Sequence, residues 1–130
     1  LADALLATHR SYLPQVQPLL ERGLVRGLAH ITGGGITENL PRILPEGCAA
    51  EVDLRAWEAP ALFRILQQRG GIARVEMLRT FNMGIGLIVV CAASAAERVS
   101  GLIEAAGEPG PPRIGTIVAG KHFVRYIDAS

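Results

Sequence analysis

The stretch HITGGGITENLPRILPEG, residues 30 to 47, places three consecutive glycines, Gly33, Gly34 and Gly35, between an apolar run and a predicted helix. Glycine adopts backbone conformations that are closed to other residues and lets a ligand approach the main chain. Successive N–H groups in such a loop can form a concave anion site, which the positive end of the following helix reinforces. The stretch therefore predicts a site for a phosphate.

The spacing of these glycines matches neither GxGxxG nor GxxxxGK[ST]. The sequence thus supports neither a dinucleotide-binding Rossmann loop nor a Walker P-loop. A tight connection that packs against a neighbouring element would also explain the glycines. The spacing alone leaves both interpretations open.

Polar side chains flank the glycines on both sides. His30 comes directly before the loop, where an imidazole could exchange a proton or hydrogen-bond a bound group near neutral pH. A single histidine at a strand end is, however, more often structural. Glu38 and Asn39 lie in the first turn of the predicted helix, where Glu38 either complements the helix dipole or orients a substrate amine.

A second polar group of residues lies in RTFNMGIG, residues 79 to 86, directly before the most apolar predicted strand. Arg79, Thr80 and Asn82 are candidates for ligand contact. A capping threonine and an asparagine in the left-handed conformation are the structural alternatives. The sequence does not decide whether this end of the strand lies beside the glycine loop or opposite it.

Arg10 and Tyr12 form a third polar group near the start of the chain. A guanidinium can hold a phosphate through two parallel hydrogen bonds. The alternative for Arg10 is an ordinary solvated surface position.

The elements that must position these groups alternate along the chain. Helical periodicity predicts helices in LPQVQPLLERG, in ITENLPRIL with Thr37 as the N-cap, in APALFRILQQRGG and in AAERVSGLIEAAG. ARVEMLRTFN fits either a strand or a helix, and its Glu-Met-Leu run favours a helical turn. Strands are predicted in LVRGLAHIT, CAAEVDL, IGLIVVCAA, RIGTIVAG and HFVRYID, the third of them buried on both faces. This order predicts an α/β (α+β) sandwich, a mixed β-sheet with helices packed on it.

Composition limits the class of protein. A chain of 130 residues with 49% hydrophobic and 19% charged residues fits one folded domain and excludes a disordered protein. Thirteen Lys and Arg against 12 Asp and Glu give a net charge of +1, which provides no electrostatic basis for binding nucleic acid or an acidic membrane. No apolar run approaches the length of a membrane span.

Cys48 and Cys91 lie far apart, and neither has the spacing to a histidine that a metal site requires. We expect no metal ligands in this chain. Both cysteines are predicted to be buried free thiols in a reducing compartment, and the absence of a leader-like segment makes the cytoplasm the expected location.

Three stretches in one order, THRSY, AHITGGGITENLPRILP and EMLRTFNMGIGLIV, resemble the C-terminal domain of phosphoribosylformylglycinamidine cyclo-ligase, or aminoimidazole ribonucleotide synthetase, of purine biosynthesis. The resemblance continues through RIGTIV and covers nearly the whole chain. The pair TGGGITENLPR and RTFNMGIG is its specific part. Families that share the superfamily fold, such as thiamine-phosphate kinase, selenophosphate synthetase and the hydrogenase maturation carbamoyl dehydratase, do not usually carry both.

The resemblance implies that residues 1–130 are a single domain, the C-terminal half of a two-domain enzyme. The N-terminal ATP-binding domain, which this sequence lacks, would supply most contacts to ATP and Mg²⁺. In the family, ATP phosphorylates the formyl amide oxygen of formylglycinamidine ribonucleotide; an internal nitrogen then closes the ring, giving aminoimidazole ribonucleotide, ADP and phosphate. We expect the isolated 130 residues to be inactive and the full-length enzyme to be a homodimer, mostly through the missing domain.

The resemblance also implies roles for individual residues. It makes Gly33, Gly34 and Gly35 the loop for a phosphate or the transferring phosphoryl group, and His30 a catalytic acid/base or oxyanion stabiliser. The resemblance implies that five further residues contact the substrate: Glu38, Asn39, Arg79, Thr80 and Asn82. Arg10 matches the end of the family's PTRIY, but Thr8-His9 replaces Pro-Thr and Ser11 replaces Ile, so its role is open.

Two other functions remain as alternatives. The chain could be a non-catalytic ligand-binding or dimerising α/β module that keeps the glycine loop. It could also be a domain of a related superfamily kinase that uses ATP, phosphorylates a different acceptor and closes no ring.

Overall fold

The computed structural model describes residues 1–127. These residues form six α-helices and five strands, which in chain order are α1 (Ala2–Leu5), α2 (Leu13–Glu21), β1 (Gly27–His30), α3 (Gly35–Asn39), β2 (Cys48–Asp53), α4 (Ala61–Gly70), α5 (Arg74–Thr80), β3 (Leu87–Val90), α6 (Ala96–Ala105), β4 (Gly115–Ala119) and β5 (Val124–Ile127). Short 3₁₀ turns follow α3 at Pro41–Ile43 and precede α6 at Ala93–Ala95. No helix in the described residues is long and apolar enough to cross a membrane.

The chain divides into two compact units. The first consists of Leu1–Val25 and Cys91–Pro111, and the second of Arg26–Val90 and the described part of Pro112–Ser130. The single domain expected over residues 1–130 stays a prediction.

The first unit is built on helices α2 and α6. Leu19 of α2 is completely buried, and Val99 of α6 is 5% exposed. The Gln15 side-chain amide donates to the Ala106 carbonyl over 2.9 Å. Pro14 lies in the first turn of α2, where a missing N–H costs no helical hydrogen bond, and Pro18 is accommodated inside the helix. The periodicity of this segment therefore predicts its helix correctly despite the second proline.

The second unit contains both sheets. Strands β1 and β3 form an antiparallel pair, and β4-β2-β5 form a mixed sheet in which β2 is antiparallel to β4 and parallel to β5. The mixed sheet and the packed helices confirm the expected α/β sandwich. The expectation that β3 is buried on both faces is wrong: of its residues only Ile88 is buried. The reason is that β3 lies in a two-stranded pair rather than in the middle of a wide sheet.

The core of the second unit joins α3 to both sheets. Its buried members are Ala29, Ile31, Ile36, Leu40, Leu44, Ala50, Val52 and Ile88. In the predicted helix ITENLPRIL, the helical spacing of Leu40, Ile43 and Leu44 indicates an inward-facing stripe, and Leu40 and Leu44 are indeed buried while Ile43 packs against the same core. The α-helix itself ends at Asn39, and the chain continues as a 3₁₀ turn from Pro41, which has no N–H for an α-helical hydrogen bond.

Some predictions for individual residues are confirmed and others are wrong. The helical interpretation of residues 74 to 80 is confirmed by α5, and Gly71 ends α4 with a φ of 59°. Thr37 is not an N-cap, because α3 begins earlier, with Gly34 as its N-cap at a φ of 97°. Cys48 and Cys91 are free thiols, but both are only partly buried.

Candidate functional site

Strand pairing brings the two glycine-containing stretches to the same place. The last residue of β1, His30, pairs with the first residue of β3, Leu87, in antiparallel register. The loop that leaves β1 and the segment that enters β3 therefore lie at the same end of the pair. The Ile31 N–H donates to the Gly86 carbonyl over 2.9 Å and extends the pairing into the loop. The stretch RTFNMGIG, whose position the sequence left undecided, thus lies beside the glycine loop.

The two stretches share an open cleft with a volume of about 240 Å³. Its lining residues are Ile31, Thr32, Gly33, Phe63, Thr80, Phe81 and Asn82. The rings of Phe63 and Phe81 lie 5.7 Å apart at 53° and form its aromatic part. Hydroxyl, amide and main-chain groups form the polar part. The cleft therefore suits a molecule that has both polar groups and an apolar surface.

The three glycines have three different structural roles. At Gly33 a Cβ atom would meet nothing within 4 Å, so this residue leaves space in the cleft. Gly34 takes a φ of 97°, which L side chains rarely adopt. At Gly35 a Cβ would lie 2.1 Å from the Leu78 carbonyl oxygen and 2.7 Å from that of Phe81. Tight packing therefore explains Gly35, whereas access for a ligand is compatible with Gly33.

The N–H groups of the loop are not equivalent. That of Gly35 donates to the Thr32 carbonyl over 3.0 Å and is not available to a ligand. Within residues 1–127, the N–H groups of Gly33 and Gly34 donate to no main-chain carbonyl. An anion at this loop would therefore meet two main-chain donors rather than three.

A carboxylate lies at the edge of the loop. Glu38 Oε2 lies 2.8 Å from the place where a Gly34 Cβ would be. Glu38 Oε1 accepts a hydrogen bond from Arg79 Nη2 over 3.3 Å, with about half of each side chain exposed. This pair connects the two stretches, and Arg79 offsets a negative charge that would otherwise repel an anion at Gly34. Exposed pairs contribute little to stability, so its influence here is on local charge.

Asn39 is buried behind the loop and is 7% exposed. Its side-chain nitrogen lies 2.9 Å from the Gly35 carbonyl oxygen, 3.1 Å from that of Gly33 and 3.4 Å from that of Thr32. The donor end of this amide is therefore directed at the loop itself.

The polar residues of the second stretch make local hydrogen bonds. Thr80 donates to Glu76 over 3.4 Å, and the Asn82 side-chain oxygen accepts from the Gly84 N–H over 2.9 Å. Asn82 is not the left-handed residue; its neighbour Met83 has the positive φ, 53°. Asn82 Oδ1 thus serves the turn, while Thr80 and Asn82 both line the cleft. His30 is exposed at the end of β1.

Arg10 belongs to the first unit. Its guanidinium forms an ion pair with Glu108 and lies 5.2 Å from the centre of the Tyr12 ring. The predicted pair of Arg10 and Tyr12 therefore exists, and it includes a carboxylate that sequence reasoning missed. Glu108 is 98 positions away along the chain, so no local pattern points to it.

Sequence reasoning also missed a hydrogen-bond chain behind the loop. Thr37 donates to the Leu78 carbonyl over 3.1 Å and lies 2.7 Å from the Tyr126 hydroxyl. Because a hydroxyl has one proton, Tyr126 is then the donor to Thr37. Burial raises the pKa of Tyr126 above 10.0, and the hydrogen bond to Thr37 opposes that rise. Phe63 was missed as well, since an apolar helix residue carries no signal of a cleft.

Fold and site together define a domain of the AIR synthase class. Residues 1–128 match the family described as AIR synthase related protein, C-terminal domain, and the chain belongs to that family. It is 48% identical over 108 residues to a phosphoribosylformylglycinamidine cyclo-ligase of Neisseria meningitidis serogroup C, and 51% identical over 108 residues to that of Paraburkholderia xenovorans. Each match covers 83% of this chain but only 31% and 30% of the relative, so the chain spans about a third of their length.

Solved structures of a different protein share the fold. The E. coli hydrogenase maturation protein HypE superimposes with a TM-score of 0.64 at 24% identity, over 88% of this chain and 36% of that one. A second E. coli HypE structure gives 0.65 at 24% identity, over 90% and 35%. At this identity the likeness concerns the fold alone.

Proposed function

We propose that this chain is the C-terminal, substrate-side domain of a phosphoribosylformylglycinamidine cyclo-ligase. Such an enzyme converts formylglycinamidine ribonucleotide and ATP to aminoimidazole ribonucleotide, ADP and phosphate. Membership of the family and the names of relatives at 48% and 51% identity support the proposal. No observation favours a non-catalytic module or a kinase over it.

The observation that carries the proposal is the cleft shared by the two most specific stretches of the sequence. TGGG contributes Thr32 and Gly33, and RTFN contributes Thr80, Phe81 and Asn82. Residues more than 40 positions apart in the chain thus surround one space. A catalytic cleft requires this convergence of donors from separate elements, whereas a glycine run used only for packing does not.

In this proposal the loop supplies the electrostatic part of catalysis. The Gly33 and Gly34 N–H groups donate to the transferring phosphoryl group or to the oxygen that gains charge during ring closure. Thr80 and Asn82 bind the substrate beside them. Gly35 does not bind the anion directly, because its N–H is bonded to Thr32.

Charged residues around the loop would handle protons and orientation. Glu38 orients a nitrogen of the substrate, and Arg79 balances its charge. His30 acts as the acid/base or stabilises the oxyanion from the end of β1. Arg10 lies in the first unit, and its proposed role in binding substrate would require its guanidinium to leave Glu108.

Among the described residues, those that line the cleft include no lysine. Its neutral donors therefore fit the oxygens of one phosphoryl group better than those of a whole nucleoside triphosphate. When bound, ATP would supply the phosphoryl group that activates the formyl oxygen. In residues 1–127 no group of three or more His, Cys, Asp or Glu side chains could hold a metal ion. As the family resemblance implies, the proposal assigns Mg²⁺ and most ATP contacts to an N-terminal domain of the longer protein.

The proposal also includes a homodimer formed mainly through that N-terminal domain and a cytoplasmic location. The two free cysteines support a reducing compartment.

The test uses the full-length protein that contains this chain, incubated with formylglycinamidine ribonucleotide and ATP, with ADP and the ribonucleotide products measured by mass spectrometry. We expect one aminoimidazole ribonucleotide for each ADP. ADP with a phosphorylated acceptor and no ring closure would instead identify a kinase, and absence of turnover would favour a binding module.

Activity that survives both His30→Ala and Gly34→Val unchanged would remove the assigned site. We expect the isolated 130 residues to turn over nothing.

A further inference from the structure

We propose that Asn39 is a positioning residue that aims the N–H groups of Gly33 and Gly34 into the cleft. This assignment rests on the proposed function, and it replaces the expected contact between Asn39 and substrate. The Asn39 side chain acts only through the loop.

The hydrogen bonds of Asn39 determine which way its amide faces. Carbonyl oxygens of Thr32, Gly33 and Gly35 surround one end of the side chain, at 2.9 to 3.4 Å. Only the nitrogen can face three acceptors, because the amide oxygen would be repelled by all of them. Its two hydrogens serve Gly35 and Gly33 at the shorter distances, and Thr32 shares one at 3.4 Å.

Peptide geometry passes this orientation to the other side of the loop. The described residues contain no cis peptide bond. In a trans peptide the C=O and the following N–H point in opposite directions. A Thr32 carbonyl held towards Asn39 therefore turns the Gly33 N–H away from it, and the Gly33 carbonyl does the same for the Gly34 N–H. Gly33 itself lines the cleft.

The loop needs such a restraint because of its composition. Peptide units between glycines rotate with little steric hindrance. The close packing of Gly35 against Leu78 and Phe81 fixes one end of the loop, and the Gly35 N–H also bonds the Thr32 carbonyl. Within residues 1–127 no main-chain N–H bonds the Gly33 carbonyl, which instead accepts from Asn39. Donors that stabilise a transition state are effective only when they are already oriented before the charge develops. Asn39 supplies that orientation from a buried position.

The experiment compares three variants of the full-length enzyme. Asn39→Ala removes the restraint, and Asn39→Asp keeps the side-chain shape but removes the nitrogen donor. Leu40→Ala is the matched control, because Leu40 is the next residue, is 2% exposed and makes no side-chain hydrogen bond to the loop. All are assayed at a temperature at which each is folded.

We expect both Asn39 variants to lose about 100-fold in kcat, the effect of losing one oriented donor, with each KM within about threefold of the unchanged enzyme. Leu40→Ala should keep kcat within about threefold, since a folded enzyme with a core cavity retains its loop. Equal losses in Asn39→Ala and Leu40→Ala, or full activity of Asn39→Asp, would overturn the positioning role.

A second measurement does not depend on the reaction. Residue-resolved amide hydrogen exchange compares the Gly35 N–H, bonded to Thr32, with the Asp53 N–H, bonded to Ile114 in the sheet. In Asn39→Ala the Gly35 amide should exchange about tenfold faster relative to Asp53, because the loop opens locally. In Leu40→Ala the ratio should stay unchanged. If the ratio of Gly35 to Asp53 exchange is unchanged in Asn39→Ala, the positioning role of Asn39 is overturned while the proposed cyclo-ligase function stands. If the ratio changes but the full-length protein never closes the ring, the restraint by Asn39 is supported and the cyclo-ligase function is rejected.

Discussion

Two walls of the cleft are built in opposite ways. The wall of the glycine loop rests on α3, in which Gly35, Ile36 and Asn39 are buried. The other wall includes Phe63 from α4, a helix with no buried residue, in which Ile65 is 45% exposed. One wall is held by close packing and buried hydrogen bonds, and the other by partial contacts such as that between Phe63 and Phe81.

The contrast between the two walls shows which part of the fold must be placed accurately. A short helix gains most of its stability from tertiary packing, so α4 is the less restrained of the two walls. Oriented donors must be placed within a fraction of an ångström, whereas an apolar cover tolerates movement. The chain therefore concentrates its buried contacts behind the main-chain donors. Substitutions matched for chemistry on the two walls should have unequal effects.

The largest effect is expected for Gly35→Ala. Its new Cβ would overlap the carbonyl oxygens of Leu78 and Phe81 at a φ of 57°, so we expect a loss of about 3 to 5 kcal/mol in the free energy of unfolding, measured with urea. Gly71→Ala at the end of α4 is the control, because its φ is 59° and nothing lies within 4 Å. It should lose only about 1 kcal/mol. Equal losses would mean that α3 and α5 can separate without cost.

A pair of isoleucines tests the packing of the two walls directly. Ile36→Ala removes a side chain that is 2% exposed and should lose about 3 kcal/mol of unfolding free energy. Ile65→Ala, on the exposed face of α4, should change it by less than about 0.5 kcal/mol. A large loss at Ile65 would show that α4 is as firmly packed as α3, and the contrast between the walls would be wrong.

Gly33→Ala separates stability from function. Its Cβ meets nothing within 4 Å, so the unfolding free energy should change by less than about 0.5 kcal/mol. The methyl group enters the space beside the donors, and we expect kcat/KM of the full-length enzyme to fall about tenfold or more. Unchanged kinetics in Gly33→Ala would mean that substrate does not approach the loop.

The smallest effect concerns the hydrogen bond behind the loop. Tyr126→Phe removes the donor to Thr37 and should lose about 1 kcal/mol at neutral pH. Burial raises the pKa of Tyr126 above its ordinary 10.0, so the folded state retains the phenol proton more strongly than the unfolded state. This contribution is complete below pH 10 and is lost as pH rises through the raised pKa.

Urea unfolding at neutral pH and above pH 10 checks the sign. The stability difference between the unchanged protein and Tyr126→Phe should shrink at the higher pH. A difference that grows with pH would show that the hydroxyl is more easily ionised in the folded protein.

Local patterns in the sequence predict most of the elements. The stripe of Leu40 and Leu44 is buried as its spacing indicates, and the αL end of α4 at Gly71 follows from a terminal glycine. Thr37 shows the limit of such reasoning. Its residue type favours a cap, but Gly34 takes that position and Thr37 instead bonds Leu78 and Tyr126, which lie far away in the chain.

The site could be predicted only in part, because it too depends on contacts between residues that lie far apart in the chain. The TGGG and RTFN stretches stand out in the sequence, but their meeting depends on the antiparallel register of His30 with Leu87. Gly33 and Gly35 have different roles because a Cβ at Gly33 would meet nothing, whereas a Cβ at Gly35 would meet the Leu78 carbonyl. The position of Leu78 beside the loop cannot be read from the sequence. No sequence pattern indicates that the Asn39 nitrogen faces the loop rather than a ligand.

A crystal structure of the full-length protein with formylglycinamidine ribonucleotide and a non-hydrolysable ATP analogue would show directly whether substrate binds in the cleft. We expect a reacting group of the substrate within hydrogen-bond distance of the Gly33 N–H and the Thr80 hydroxyl, with the Asn39 nitrogen still on the loop carbonyls. Substrate bound elsewhere, with the cleft between TGGG and RTFN filled only by solvent, would contradict the proposed site.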